Sequence, residues 1–204
     1  MRLRKKGSER YLEGRTIVLS KELNAPGIAW NRIQRVEDPK ALRIHYFRTS
    51  CQHCENPACL AVCPVKAVYK GPFGEVLVDV KKYIGCQRCL AACPYGVPQF
   101  NTKGVTSYWP DKAPLVERVF EAHQERTPGK AEHCTLRSHR LKEGRKPACV
   151  EHCPTGALRL VDLENPGERK AWDAAQKMTE KAGTGPKVRY ASSSVDFRTK
   201  DLKA

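Results

Sequence analysis

The chain of 204 residues has no long apolar run, and none of its hydrophobic stretches nears the roughly 20 residues a helix needs to cross a bilayer. Only 40% of its residues are hydrophobic and 7% aromatic, with just two methionines, so side-chain packing alone supplies a thin core. Acidic residues are few, 22 against 37 Lys and Arg, which leaves a formal charge of +15. The basic start Met1-Arg-Leu-Arg-Lys-Lys6 leads into no apolar segment and does not read as a secretory leader. No nucleophile–base–acid set, phosphate loop or spaced carboxylate pair stands out. These absences argue against a helical membrane protein and against a self-contained hydrolase or nucleotide enzyme. Any membrane association is expected to come through a partner. The positive charge suits either a solvated basic surface or an acidic partner. The cations are spread along the chain and not interleaved with aromatics, which disfavours nucleic acid.

Cysteine is what the chain has, ten residues in all. Seven fall in two tight runs, Cys51-Gln-His-Cys54-Glu-Asn-Pro-Ala-Cys59-Leu-Ala-Val-Cys63-Pro64 and Cys86-Gln-Arg-Cys89-Leu-Ala-Ala-Cys93-Pro94. Tight blocks without a leader favour metal over disulfides. Two runs that each close on Cys-Pro form the ligand pattern of a two-cluster ferredoxin, in which the last cysteine of one run ligates the other run's cluster. Crossing the ligands in this way gives one complete set, Cys51, Cys54, Cys59 and Cys93, for a 4Fe–4S cluster. The second set is Cys63, Cys86 and Cys89, with Tyr83 where its first cysteine should stand. A phenol is a hard ligand of high pKa and a poor substitute. Three alternatives stay open there: a 3Fe–4S cluster, a 4Fe–4S cluster with an oxygen ligand, or no cluster. Zinc is the competing metal, since C-x2-C pairs bind it, but seven thiolates overfill one zinc site. Cofactor cross-linking would offset the thin core.

Along the chain, Arg15–Leu19 is mildly apolar and reads as a helical turn, broken by Asn24-Ala-Pro-Gly27. Arg43–Phe47 alternates and reads as a strand. Lys66–Lys70 reads as extended, Gly71-Pro-Phe-Gly74 as a turn, and Glu75–Val80 as a strand with Val76, Val78 and Val80 on one face. A hairpin between two cysteine runs suits a ferredoxin-like lobe. Residues 101–130 read as a loop-rich insertion with a short helix over Ala113–Gln124, and Ala157–Leu163 as a strand. Asn165-Pro-Gly-Glu168 carries a helix start, with spacing that runs to about residue 182 and Gly183 as the stop. The final residues look extended or loosely ordered. His53, His133 and His152 neighbour cysteines and read chiefly as surface histidines, with a hydrogen bond to cluster sulfur as the other reading. Trp30, Trp109 and Trp172 read as packing residues.

The run Tyr83-Ile-Gly-Cys-Gln-Arg-Cys-Leu-Ala-Ala-Cys-Pro-Tyr-Gly-Val-Pro-Gln-Phe100 resembles the third cysteine motif of the iron–sulfur subunits of dimethyl sulfoxide reductase-type molybdoenzymes. Cys51 to Cys59 resembles their second motif. Cys134-Thr-Leu-Arg-Ser-His-Arg140 with Lys146-Pro-Ala-Cys-Val-Glu-His-Cys-Pro-Thr-Gly-Ala157 resembles their fourth, and Gly185-Pro-Lys-Val-Arg-Tyr190 their closing segment. The resemblance covers nearly the whole chain. It implies an α+β fold of two pseudo-symmetric ferredoxin-like lobes with short hairpins, short helices and long loops. One lobe would span 45–100, with motifs two and three, and the other 1–44 plus 101–204. It also implies a relay of electrons between a molybdopterin catalytic subunit and a membrane anchor that exchanges electrons with quinones. The expected location is cytoplasmic or at a membrane through that partner, with export alongside a leader-bearing partner also open.

The departures from the family are specific. Its first motif falls on Arg10, Glu13, Thr16 and Ser20, none of them cysteine, and Arg137 stands at the second cysteine of the fourth. Only Cys134, Cys149 and Cys153 remain for the outer clusters. The lobe of motifs one and four is therefore expected to hold little or no iron, with Arg10, Glu13 and Arg137 filling the space by ion pairs. A zinc site from Cys134, His139, Cys149 and Cys153, a disulfide, or free buried thiols are the alternatives. Three roles follow: an electron-transfer subunit, a structural or assembly subunit with an incomplete relay, and a basic zinc protein binding nucleic acid.

Overall fold

The computed structural model describes residues 9–12, 15–19, 30–38, 42–102, 128–178 and 183–192. Expectations for the insertion helix, Trp109, Glu13, Ser20, the break at 24–27 and the last twelve residues lie outside them, as does the side chain of Arg10.

Strands β1 (Glu9–Leu12), β2 (Arg15–Leu19), β3 (Arg32–Asp38) and β4 (Arg43–Thr49) form an antiparallel meander in sequence order. Arg15–Leu19 is thus a strand and not a helical turn. Its Thr16-Ile17-Val18 core is β-branched, and it pairs on both sides, Ile17 facing Arg10 and Val36. Arg10 and Thr16, aligned above with cluster ligands, therefore lie on a hairpin. β4 begins where alternation placed it. Phe47 and Thr49 are buried, while Ile44 and Tyr46 face outward.

After β4 come helix α1 (Ala58–Ala61), the hairpin β5 (Val68–Lys70) with β6 (Val76–Val78), and helix α2 (Arg88–Ala92). Alternation understated β6. Leu77 is buried along with Val76 and Val78, so both faces of the strand are covered. β7 (Gln99–Asn101) pairs with β8 (Lys130–Glu132) across the base of the insertion. The buried Glu132 carboxylate there accepts from Asn101 Nδ2 at 2.8 Å and Trp30 Nε1 at 2.9 Å. Helices α3 (Ser138–Lys142), α4 (Ala148–Glu151) and α5 (Pro166–Ala174) follow.

Two of the expected elements differ. Residues 157–162 form no strand; they run largely exposed, paired with no strand among the described residues. Helix α5 starts as expected, the Asn165 side chain accepting from the N–H groups of Gly167 and Glu168 at 3.0 and 3.2 Å. It ends at Ala174 and not near 182, because Gln176 pairs with Tyr190 in an antiparallel bridge that draws the chain into an extended path. That path buries Met178.

Helices of four or five residues are too short to stand alone, and their loops repeat. Pro57-Ala-Cys59-Leu-Ala-Val-Cys63-Pro64 and Pro147-Ala-Cys149-Val-Glu-His-Cys153-Pro154 share one hydrogen-bond scheme. Val62 N–H donates to Ala58 and His152 N–H to Ala148, at 3.2 and 3.0 Å; Cys63 N–H donates to Leu60 and Cys153 N–H to Val150, at 3.2 and 3.4 Å. Three residues after each of Cys63, Cys93 and Cys153 the backbone turns left-handed, at Lys66, Gly96 and Gly156. The same turn precedes Cys54, Cys86 and Arg137, at His53, Gly85 and Leu136. A lysine, a histidine and a leucine adopt a conformation unusual for L-residues because the loop path demands it.

Candidate metal centre

Two buried clusters wall six of the seven cysteines of the two runs. Cys54 packs with Tyr95, Val97 and Met178, and Cys51, Cys93 and Tyr190 join at the edge. Cys89 and Tyr83 pack with Ala67, Val68, Val76, Val78 and Ala131, joined by Cys51, Cys59 and Cys63. Cys51 belongs to both, so the two sites share a wall.

Cys51, Cys54, Cys59 and Cys93 lie within electrostatic reach of one another, although Cys93 comes from the second run. Burial pushes the Cys59 thiol up to about 12, and the neighbouring Cys51, Cys93 and Cys54 add to it. Burial likewise lifts Cys54 to about 11, against a hydrogen bond from Thr184 that lowers it. Cys93 is raised by burial and eased by the backbone N–H groups of Val97 and Tyr95. Four crowded thiols in an apolar wall do not all ionise unaided. Iron supplies the positive charge that makes four thiolates tolerable, so the donor set fits an iron–sulfur cluster.

An orphaned donor supports the fit. His53 is buried between Cys51 and Cys54, its Nδ1 accepting from Val76 N–H at 3.0 Å. That bond leaves the hydrogen on Nε2, which has no partner among the described residues. His133, also buried, sits edge-on to it with ring centroids 6.4 Å apart. Both were expected at the surface; only His152 is exposed.

At the second site the Tyr83 hydroxyl lies 3.4 Å from Cys89 Sγ, both groups buried. Burial and Cys89 hold the Tyr83 phenol above its ordinary range. Cys63 Sγ accepts from Ala67 N–H at 3.2 Å, and Cys86 is exposed. Backbone donation to sulfur of this kind suits a thiolate ligand.

The third cysteine region is divided between interior and surface. Cys134 is buried, Cys149 is exposed and all three thiols are free. Arg48 Nη2 lies 3.6 Å from Cys134 Sγ and 3.1 Å from Ser50 Oγ. A guanidinium thus lies against Cys134, and it comes from β4; Arg137 is exposed at the start of α3. Cys153 is drawn down to about 7 chiefly by Thr155, whose hydroxyl is 3.6 Å away, with help from the Leu158 N–H. Among the described residues, Cys134, His139, Cys149 and Cys153 included, no three such side chains gather about a single ion. A cluster spreads its thiolates over several irons and spaces them more widely than one zinc would.

Sequence reasoning missed Thr184. This buried threonine meets Tyr95 Oη at 2.9 Å and the Cys54 thiol. It begins the closing segment, whose backbone accepts from Glu55 and Asn56 N–H at 2.7 and 2.9 Å. Lys187 adds an ion pair to Glu55 at 2.7 Å, and its N–H donates to Gln52. Trp172 is tied to the same segment, its Nε1 donating to the Lys187 carbonyl at 2.9 Å beneath the Arg189 guanidinium. Proximity to the recognisable segment 185–190 was the available signal.

Thiols drawn together from two cysteine runs, Cys54 and Cys89 buried among them, are the donor set of an iron–sulfur protein. The family model described as "4Fe-4S dicluster domain" matches residues 42–108 and 119–163, and the protein belongs to that family. An iron–sulfur subunit assigned to a dimethyl sulfoxide reductase of Halobacterium salinarum is 35% identical, the match spanning 86% of this chain and 72% of that protein. A chain of the polysulfide reductase of Wolinella succinogenes is 36% identical, over 75% and 73%. The arsenate respiratory reductase iron–sulfur subunit of a Shewanella species is 32% identical, over 72% and 75%. The protein is an iron–sulfur electron-transfer subunit of the kind these reductases use. No helix among the described residues is long and apolar enough to cross a membrane.

Proposed function

We propose that the chain holds two adjacent iron–sulfur centres and relays electrons between a molybdopterin-type catalytic subunit and a membrane quinone-reactive anchor. The observation that carries this reading is the convergence of Cys93 with Cys51, Cys54 and Cys59 behind a wall shared with the second site. Such centres exchange single electrons without making or breaking bonds in a substrate. Cys51, Cys54, Cys59 and Cys93 would hold a 4Fe–4S cluster; Cys63, Cys86 and Cys89 would hold the second, three-thiolate centre as 3Fe–4S. Tyr95, Val97 and Met178 keep water from the first, and the exposed Cys86 side offers the second to a partner. The two-lobe arrangement is part of the proposal, supported by the shared hydrogen-bond scheme around Cys59–Cys63 and Cys149–Cys153. Arg48 against Cys134 favours an outer lobe without iron.

Iron and sulfide analysis with electron paramagnetic resonance on the anaerobically purified chain tests this. Two signals and about 7 irons per chain are expected, one cluster of four and one of three. More than about 8 irons rejects the empty outer lobe. A colourless, folded, iron-free chain rejects the relay. The missing outer ligands also favour a second reading, a scaffold subunit with an interrupted relay. Redox titration inside the intact complex, followed by electron paramagnetic resonance during turnover, separates the two, since a scaffold leaves reducible clusters unreduced while substrate turns over.

A further inference from the structure

We propose that Tyr83 is a hydrogen-bond donor to the Cys89 ligand, not an iron ligand, and that it raises the reduction potential of the second centre. This rests on the two-centre reading above. The Tyr83 hydroxyl stands 3.4 Å from Cys89 Sγ, a contact in which either atom can donate while both carry hydrogen. A cysteine bound to iron is a thiolate and has none, so the phenol must donate.

The main chain that carries the ring is held on both sides. Tyr83 N–H donates to the Asp79 carbonyl at 3.0 Å, and its own carbonyl accepts from Lys130 Nζ at 2.7 Å. Asp79 is fixed in turn by the N–H groups of Lys81 and Lys82. Val68, Val76, Val78 and Ala131 pack about the ring, and Tyr83 is 4% exposed. A phenol so fixed makes one short bond to sulfur and excludes water from it. Its oxygen is a hard donor, mismatched to a soft iron–sulfide core.

Reduction by one electron, from the redox partner or a dithionite titrant, adds one negative charge that the cluster shares with its ligand sulfurs. A hydrogen bond to such a sulfur stabilises the reduced form more than the oxidised form. The proton stays on the Tyr83 oxygen, and no bond to iron forms or breaks. Tyr83 is thus a positioning residue acting through Cys89.

The test is a redox titration of the whole chain followed by electron paramagnetic resonance, comparing wild type with Tyr83→Phe. Phenylalanine keeps the ring and its packing and removes only the donor. The expected result is unchanged iron content and signal number, a more negative midpoint for the second centre and an unmoved midpoint for the first. An independent measurement on the wild type needs no variant: hyperfine coupling to an exchangeable deuteron at the second centre, reduced in Tyr83→Phe. Two wild-type centres with an unshifted midpoint in Tyr83→Phe overturn the inference alone, as does a tyrosinate–iron charge-transfer band. A wild type with a single centre overturns the two-centre reading and the inference with it.

Discussion

Replacing Thr184 by valine removes one hydroxyl from the buried seam between the closing segment and the first cluster site. The side chains are nearly isosteric, so packing is kept and the polar contacts are lost. Two are lost, one to Tyr95 Oη at 2.9 Å and one to the Cys54 thiol. Each such bond contributes about 1 kcal/mol net, and reduced pairing of the buried phenol adds up to about 1 kcal/mol more. The seam is therefore weakened by about 2–3 kcal/mol, a factor of roughly 30–150 in its opening equilibrium. The opening is local, since the carbonyls of Thr184 and Gly185 are what protect the Asn56 and Glu55 amides. Hydrogen–deuterium exchange should show that loss of protection at Glu55, Asn56 and Lys187. The Gly71 amide, bonded to the Glu75 carbonyl at 2.7 Å in the β5–β6 hairpin, should exchange as before. Unchanged protection at Glu55, or an equal loss at Gly71, would refute the claim that this hydroxyl fastens the segment.

Gly185→Ala attacks the same seam through the backbone. Gly185 has φ +61°, and an added Cβ would lie 3.0 Å from Glu55 Cβ, so the left-handed strain of about 1–2 kcal/mol is joined by a contact that must give. Faster exchange at Glu55 and Asn56 is expected, and an unaffected rate counts against the docked path. His133 predicts a pH dependence. Burial lowers its pKa, and its ring meets the Cys134 carbonyl at 2.8 Å. Below about 6.5 the unfolded chain takes up a proton that the folded chain refuses, so stability is full above that pH and falls beneath it, by at most about 1.4 kcal/mol per unit. Urea midpoints at pH 7.5, 6.5 and 5.5 should fall with acid in the wild type and fall less in His133→Gln; parallel slopes would assign the acid sensitivity elsewhere.

The nearness of Cys93 to Cys51, Cys54 and Cys59 was legible from spacing, since short loops hold their cysteines at fixed local intervals. The start of α5 was legible for the same reason: Asn165 acts on its own next turn. Its end was not, because Tyr190 decides it from across the molecule. Strand β2 was misread since five residues carry too little periodicity, and its β-branched core becomes decisive only with a neighbour paired on each side.

The order of the thiols and the non-cysteine residues at Tyr83, Arg10, Thr16 and Arg137 were properties of the sequence alone, because iron ligation depends on residue type at fixed local intervals. The tertiary structure alone decided that Arg48 rather than Arg137 meets Cys134, that His53 and His133 are buried, and that Thr184 reaches Cys54. Those facts arise where burial brings together segments far apart along the polypeptide, and no interval in the sequence encodes which distant side chain will arrive.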